Sequence, residues 1–71
     1  MIILFSRNDC PLCEEVEDML VQFEISYRYV DIDLDDNLRK KYHVLVPVLQ
    51  NLTKQELRFP FDEGELKRFV L

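Results

Sequence analysis

The chain has 71 residues, of which 48% are hydrophobic and 32% are charged, a balance typical of one globular domain with a single core. One Gly and three Pro are too few for a disordered or collagen-like segment. Nine Lys and Arg against fourteen Asp and Glu give a net charge of −5. Nucleic acids and anionic lipids select basic patches, so we expect one domain, residues 1–71, with neither as its partner.

The N-terminal segment gives no sign of a membrane or export signal. The longest uninterrupted apolar stretch, Met1 to Phe5, is too short to cross a bilayer. Met1 leads directly into it, with neither the basic region nor the small-residue cleavage site of a signal peptide. We therefore expect a cytoplasmic protein without a membrane partner.

The first half of the chain predicts a strand, a helix and a second strand. Ile2 to Phe5 is a continuous apolar run rich in β-branched residues, as in a strand buried on both faces. Apolar residues then recur at helical spacing from Leu12 to Phe23, with acidic residues on the opposite face. Pro11 suits the first helical position, which makes Cys10 the N-cap. Ile25 to Asp33 alternates loosely and predicts the second strand.

The next segment predicts a short helix and two strands. Residues from Asp33 to Tyr42 begin with acids and end with bases, which predicts a helix aligned with its own dipole. A third strand is predicted over Pro47 to Leu52, because proline opens a strand and does not sit within a central one. A tight turn around Thr53-Lys54 then leads to a fourth strand over Gln55 to Phe59.

A last helix is predicted to start after Asp62. Glu65, three residues later, completes a capping box, and Phe61 and Leu66 sit where a hydrophobic staple would join. The order is therefore βαβαββα, an α/β fold with a four-stranded mixed sheet and helices on both faces. Strands separated by helices imply parallel crossovers, and the final pair joined by a short turn implies an antiparallel hairpin.

The two cysteines, Cys10 and Cys13, lie three positions apart, after a strand and at the start of a helix. A bridge between them closes a loop too short to add much stability, so the pair is placed for chemistry or for a metal. At the N-cap, the Cys10 sulfur faces the free N–H groups of Leu12 and Cys13 and the positive end of the helix dipole, which stabilise a thiolate. Cys13 lies one turn later and can resolve a mixed disulfide at Cys10.

The charges around this motif oppose the stabilisation of a thiolate. Arg7 is the only cation near it, whereas Asp9, Glu14 and Glu15 flank it, and negative charges raise the pKa of a thiol. Solvent and salt screen exposed carboxylates, so the backbone donors should prevail. We therefore expect a lowered pKa for the Cys10 thiol.

Three segments together resemble a known family. The stretch FSRNDCPLC resembles the active site of glutaredoxins, with an aromatic residue ending the first strand, then Ser, a basic residue and C-P-x-C. Val46-Pro47 resembles the V-P segment that places a cis-proline beside the active-site disulfide in the thioredoxin-fold superfamily. Phe59-Pro60-Phe61-Asp62 resembles the F/W-P-F-D ending of a small glutaredoxin-like group. The resemblance spans nearly the whole chain and implies a thioredoxin-like fold.

The resemblance also implies an activity and the roles of four residues. The protein would be a small thiol–disulfide oxidoreductase, with Cys10 as the nucleophile and Cys13 as the resolving thiol. Pro47 would be cis, and the backbone of Val46 would pair with the substrate as an added strand.

The glutathione site of the family is only partly matched. Arg7 stands where a glutaredoxin Lys helps to bind glutathione. In glutaredoxins, a Gly-Gly pair and a nearby Asp come after the fourth strand and bind the γ-glutamyl end of glutathione. Here Phe59-Pro60-Phe61 occupies that place, with Asp62 as the only candidate equivalent, and bulky rings and a proline without an N–H make a poor nest for a carboxylate. Leu12 also replaces the usual aromatic residue of the motif.

We therefore expect protein disulfides as substrates, and glutathione or a thioredoxin-reductase-like enzyme as the reductant. The enzyme would be a monomer and would need no organic or metal cofactor, with glutathione as a co-substrate at most. A non-catalytic module is one alternative: it would hold an extended peptide at the V-P edge, with the cysteines as a passive clip. A metal or iron–sulfur carrier is another, formed by dimerisation because a zinc site needs four ligands and the chain offers two Cys and His43.

Overall fold

A computed structural model describes residues 1–71. The elements follow the predicted order βαβαββα. The strands are β1 (Ile2–Ser6), β2 (Tyr27–Asp31), β3 (Val48–Gln50) and β4 (Glu56–Arg58). The helices are α1 (Pro11–Gln22), α2 (Asp36–Tyr42) and α3 (Glu63–Val70), with one 3₁₀ turn (Ile32–Leu34) before α2. None of the helices has the length and apolar character needed to span a membrane.

The four strands form one mixed sheet in the order β2-β1-β3-β4. β1 and β2 are parallel, β3 is antiparallel to β1, and β4 is antiparallel to β3. The predicted α/β class, the mixed sheet and the final antiparallel hairpin are therefore confirmed.

The parallel crossover predicted between β2 and β3 is wrong. The seven residues of α2 rise only about 10 Å along its axis, less than the roughly 17 Å length of β2, so the helix is too short to return the chain to the end of the sheet where β2 began. Arg7 bonds both to Asp33, before α2, and to the carbonyl of His43, at its end, so the two ends of this connection lie close together. The chain thus returns to the end of the sheet where β2 finished. β3 starts there, with Val48 opposite Phe5, and runs antiparallel to β1.

Helices cover both faces of the sheet, as predicted. On one face, buried side chains of α1 and α3 pack against β1 and β3; this cluster contains Ile2, Leu4, Val16, Leu20, Leu49, Phe61 and Leu66. On the other face, Ile32 and Tyr42 pack against Phe5 and Val48, and the Tyr42 ring stacks on Phe5 with 4.4 Å between ring centroids. The adjacent residues Leu4 and Phe5 thus face opposite sides, because side chains alternate along a strand.

Strands β2, β3 and β4 are shorter than predicted, and β2 and β3 end where polar side chains bond to nearby backbone. The carboxylate of Asp31 accepts the N–H of Asp33 at 2.9 Å, which starts the 3₁₀ turn and ends β2. The side-chain oxygen of Asn51 accepts the N–H groups of Thr53 and Gln55, both at 3.0 Å, which forms the turn after β3. Such local bonds compete with the hydrogen bonds of a sheet.

Helix α3 begins as the sequence predicts. The Asp62 carboxylate accepts the N–H of Glu65 at 2.8 Å, and the Glu65 carboxylate accepts the N–H of Asp62 at 3.4 Å. Phe61 and Leu66 are both buried in the same core cluster, as a hydrophobic staple requires. The capping box and the staple are confirmed.

Candidate active site

Cys10 occupies the N-cap of α1. Its backbone is extended, with φ −117° and ψ 99°, and its sulfur accepts a hydrogen bond from the N–H of Cys13 at 3.2 Å. Pro11 follows at the first helical position, where its missing N–H leaves no intrahelical bond unmade. The predicted N-cap is confirmed, and the Cys13 N–H is the backbone donor that reaches the sulfur.

The two cysteines are joined by a disulfide and differ in exposure. Their Cα atoms are 5.2 Å apart, one helical turn along the chain. Cys10 is partly exposed, whereas only 1% of the Cys13 surface is accessible. Leu12, between them, is 48% exposed. Cys10 is therefore the cysteine that an incoming molecule can contact, beside an apolar side chain, while Cys13 is shielded.

A turn of unusual backbone geometry leads from β1 into the cysteine motif. Asp9 has φ 56°, in the left-handed region that Asp adopts more readily than most residues with a side chain. This conformation turns the chain after β1 so that Cys10 opens α1. Asp9 and Glu14 are both exposed, so solvent screens their charges beside Cys10.

The sheet brings the Val46-Pro47 segment to the same edge as the cysteines. The Val46–Pro47 peptide bond is cis, and Pro47 is buried immediately before β3. Val48 pairs with Phe5, near the end of β1. Residues 7–10, the cysteine loop, lead from this end of β1 to α1. The Pro47 carbonyl accepts the N–H of Phe59 at 3.3 Å, which ties this segment to the end of β4.

Arg7 is held by contacts with two other segments. Its Nε and Nη2 donate to the two carboxylate oxygens of Asp33 at 3.1 and 2.6 Å, and its Nη1 donates to the His43 carbonyl at 2.8 Å. The hydrogen bonds between the two side chains are the main reason why the pKa of Arg7 is raised and the pKa of Asp33 is lowered.

Asp33 also belongs to this site, through its bonds to Arg7, although it was not among the predicted site residues. The sequence pattern places Asp33 at the end of the second strand and at the start of the next helix, among several acidic residues. A signal for its role was present, because β1 and β2 are consecutive strands joined by a helix and their carboxyl ends meet at one edge. Arg7 follows β1 and Asp33 follows β2, so a cation and an anion face each other there.

The segment from Phe59 to Asp62 is engaged in packing and capping. Phe61 is buried in the core, and its ring meets that of Phe59 edge to face, with 5.6 Å between centroids. The carboxylate of Asp62 is the N-cap of α3. A role for Asp62 in binding substrate stays a prediction.

His43, the only histidine, lies exposed at the C-cap of α2. No group of three or more His, Cys, Asp or Glu side chains in the chain is arranged to hold a metal ion. The carrier formed by dimerisation stays an untested alternative.

Comparison with known proteins identifies the family. Residues 1–71 match the family model of the glutaredoxin-like domain (DUF836). The crystal structure of XcR50 from X. campestris is 34% identical and superposes with a TM-score of 0.89, over 97% of this chain and 93% of that chain. Its solution structure gives 35% identity and a TM-score of 0.85, over 96% and 88%.

A more distant structure supports the same fold, which is thioredoxin-like. Ne2328 from Nitrosomonas europaea is 24% identical with a TM-score of 0.81, over 99% of this chain and 89% of that chain, and at this identity it shows the fold alone. No curated protein matches the chain. The family match over the full length shows that the chain belongs to the glutaredoxin-like domain family.

Proposed function

We propose that the protein is a thiol–disulfide oxidoreductase that works by dithiol exchange at Cys10 and Cys13. The observation that carries the proposal is the asymmetry of the pair. Cys10 is partly exposed at a helix N-cap and accepts a backbone hydrogen bond, whereas Cys13 is buried one turn later. Attack by one accessible thiolate, followed by resolution from a shielded thiol, needs this arrangement.

The exchange proceeds in two displacement steps. The Cys10 thiolate attacks one sulfur of the substrate disulfide, so that a mixed disulfide forms and the other substrate sulfur leaves as a thiolate, which takes a proton from solvent. Cys13 then loses its proton and attacks the Cys10 sulfur. This step closes the Cys10–Cys13 disulfide, releases the second substrate thiolate and completes the transfer of two electrons to the substrate.

The edge at Val46 supports a polypeptide as the substrate. Val46 is partly exposed and lies just before β3. Neither its N–H nor its carbonyl takes part in the backbone hydrogen bonds outside the helices and strands. Its free backbone groups suit pairing with an extended segment of a substrate protein. The exposed side chain of Leu12 adds an apolar contact beside Cys10.

The proposed cycle needs an external reductant and no bound cofactor. We propose glutathione or a thioredoxin-reductase-like enzyme for this step, and protein disulfides as the substrates of a monomeric enzyme. The proposed location is the cytoplasm, where such reductants keep dithiols reduced.

Trapping of the mixed disulfide tests the proposal. In Cys13→Ser the resolving thiol is absent, so the reduced variant should form a stable adduct at Cys10 with a peptide disulfide, visible by mass spectrometry. The matched control Cys10→Ser keeps only the buried thiol and should form the adduct far more slowly. Equal adduct formation in the two variants, or none in either, would contradict the proposal and favour the non-catalytic peptide-binding module.

A further inference from the structure

Arg7 uses its guanidinium for contacts within the protein. Three of its donor atoms are engaged, two by the Asp33 carboxylate and one by the His43 carbonyl. The Arg7 and Asp33 side chains are 26% and 41% exposed, so this ion pair is in contact with solvent. A bidentate pair fixes the orientation of a guanidinium as well as its position.

This arrangement joins the cysteine loop to the segment before Pro47. Arg7 lies three residues before Cys10, and His43 is followed directly by residues 44–46 and the Val46–Pro47 bond. The His43 carbonyl belongs to the end of α2, where backbone acceptors lack intrahelical donors. Asp33 thus holds Arg7 in a position where the Nη1 of Arg7 donates to the His43 carbonyl.

The same contact engages the basic residue that lies closest to Cys10 along the chain. Arg7 is the only basic residue between the start of β1 and Cys10, and α1 contains no basic residue at all. Asp9, Glu14 and Glu15 are exposed around the motif. An anionic disulfide that approaches Cys10 therefore meets carboxylates and a guanidinium already neutralised by Asp33.

The N-terminus of α3 is also occupied by the protein's own carboxylates. Asp62 accepts one backbone N–H of this helix, and the Glu65 carboxylate accepts the N–H of Asp62. Phe61, before the cap, is buried. Two backbone N–H groups that could otherwise attract an anion at this end of the helix are therefore already bonded to carboxylates of the protein.

We propose that Asp33 is a specificity-determining residue for the disulfide exchange proposed above, on which this inference rests. By pairing with Arg7, Asp33 neutralises the guanidinium and holds it against the segment before Pro47. Arg7 is then not available to attract an anionic substrate. The preferred substrates are neutral or cationic polypeptide disulfides. Oxidised glutathione, whose carboxylates outnumber its amines, is a poor substrate for this site.

The test compares three small disulfides of different charge. Reduced protein is mixed with cystamine (cationic), hydroxyethyl disulfide (neutral) or oxidised glutathione (anionic), and second-order rate constants are measured. The ratio of the glutathione rate to the neutral rate is the readout, because changes in the intrinsic reactivity of Cys10 cancel in it. Asp33→Asn should raise this ratio about two- to five-fold, the factor expected for one exposed ion pair. The gain should shrink as ionic strength rises.

Three further variants show whether the effect belongs to this pair. Asp36→Asn removes a carboxylate that pairs with Arg39 on α2, and should leave the ratio unchanged. Combining Arg7→Gln with Asp33→Asn should abolish the gain, because the released cation is then missing. Asp33→Ser provides a second substitution at the same position if Asp33→Asn does not fold.

The outcomes separate this inference from the proposed function. An unchanged ratio in a folded Asp33 variant that still reacts with the neutral disulfide overturns the role of Asp33 and leaves the exchange reaction standing. A gain that persists in the double variant also overturns it, since Arg7 then carries no part of the effect. If the reduced wild-type protein reacts with none of the three disulfides, the proposed function and this inference both fail.

Discussion

Removal of the Asp62 side chain should destabilise the protein by about 1 kcal/mol. The Asp62 carboxylate accepts the N–H of Glu65 at 2.8 Å, and loss of such an N-cap costs about 0.5–2 kcal/mol. Leu66 stays fully buried and keeps α3 docked, so the loss in Asp62→Ala should be close to the value of the cap itself. In a domain of this size, about 1 kcal/mol corresponds to a fall of about 4–8 °C in Tm.

Urea denaturation followed by circular dichroism measures this change. The matched control is Asp62→Ser, which removes the charge but keeps an oxygen that can accept the same hydrogen bond. Its free energy of unfolding should stay within about 0.5 kcal/mol of the wild type, because Ser and Asp are similar N-caps. Glu65→Ala should cost less than Asp62→Ala, because the Glu65 bond is longer, at 3.4 Å.

Two results would refute this reasoning. One is an unchanged free energy of unfolding in Asp62→Ala. The other is an equal loss in Asp62→Ala and Asp62→Ser, which would assign the effect to the charge and not to the hydrogen bond. Because Asp62→Ser should keep the fold, its rate of disulfide exchange also tests the predicted substrate-binding role of Asp62 separately from stability.

Three other substitutions have predictable effects on stability. Phe61→Ala should cost about 3–5 kcal/mol in urea denaturation, because the ring is buried and joins the core to the start of α3; a loss below about 1 kcal/mol would contradict this packing. Burial and a hydrogen bond to Glu56 raise the pKa of Tyr42, so its contribution to stability is present below the unfolded pKa of about 10 and is lost as pH rises above it. Wild-type protein should therefore lose thermal stability more steeply than Tyr42→Phe in alkaline solution, and parallel curves would count against the buried hydroxyl. The lowered pKa of Asp33 has the opposite sign: its contribution is present above the unfolded pKa of about 3.9 and is lost as pH falls through the lower folded value. The difference in Tm between wild type and Asp33→Asn should therefore vanish in strong acid, and a difference that persists there would exclude the Arg7 pair as its cause.

Sequence patterns predicted the features that depend on neighbouring residues. The N-cap at Cys10 and the capping box at Asp62 each involve residues three apart. The residue types and their spacing were therefore enough to predict both caps. The buried faces of α1 and α3 followed from helical spacing for the same reason. The position of the cysteine pair at a helix start was predictable because Pro11 marks that start.

Features that depend on distant contacts were not predictable in this way. The direction of β3 is determined by where the chain lies after α2, and this depends on packing and on contacts such as that between Arg7 and His43, 36 residues apart. The partner of Arg7 was hidden for a related reason. Asp31, Asp33, Asp35 and Asp36 offer the same chemistry, and only the fold brings one of them to the guanidinium.

The ends of strands β2 and β3 were also not predicted from the apolar pattern. Apolar residues continue beyond β2 and β3, but Asp31 and Asn51 end both strands by bonding to nearby backbone. Asp and Asn favour turns and caps, so they can end a strand even where apolar residues continue beyond them.

A redox titration of Cys10 and Cys13 tests the proposed dithiol exchange directly. The protein is equilibrated in buffers of defined dithiol potential, free thiols are trapped with an alkylating reagent, and both cysteines are read by mass spectrometry. Dithiol exchange at this pair requires that the two thiols are oxidised together in one reversible two-electron transition, and we expect a midpoint between roughly −270 and −120 mV. A pair that stays reduced across this range, or thiols that oxidise one at a time to separate products, would contradict it.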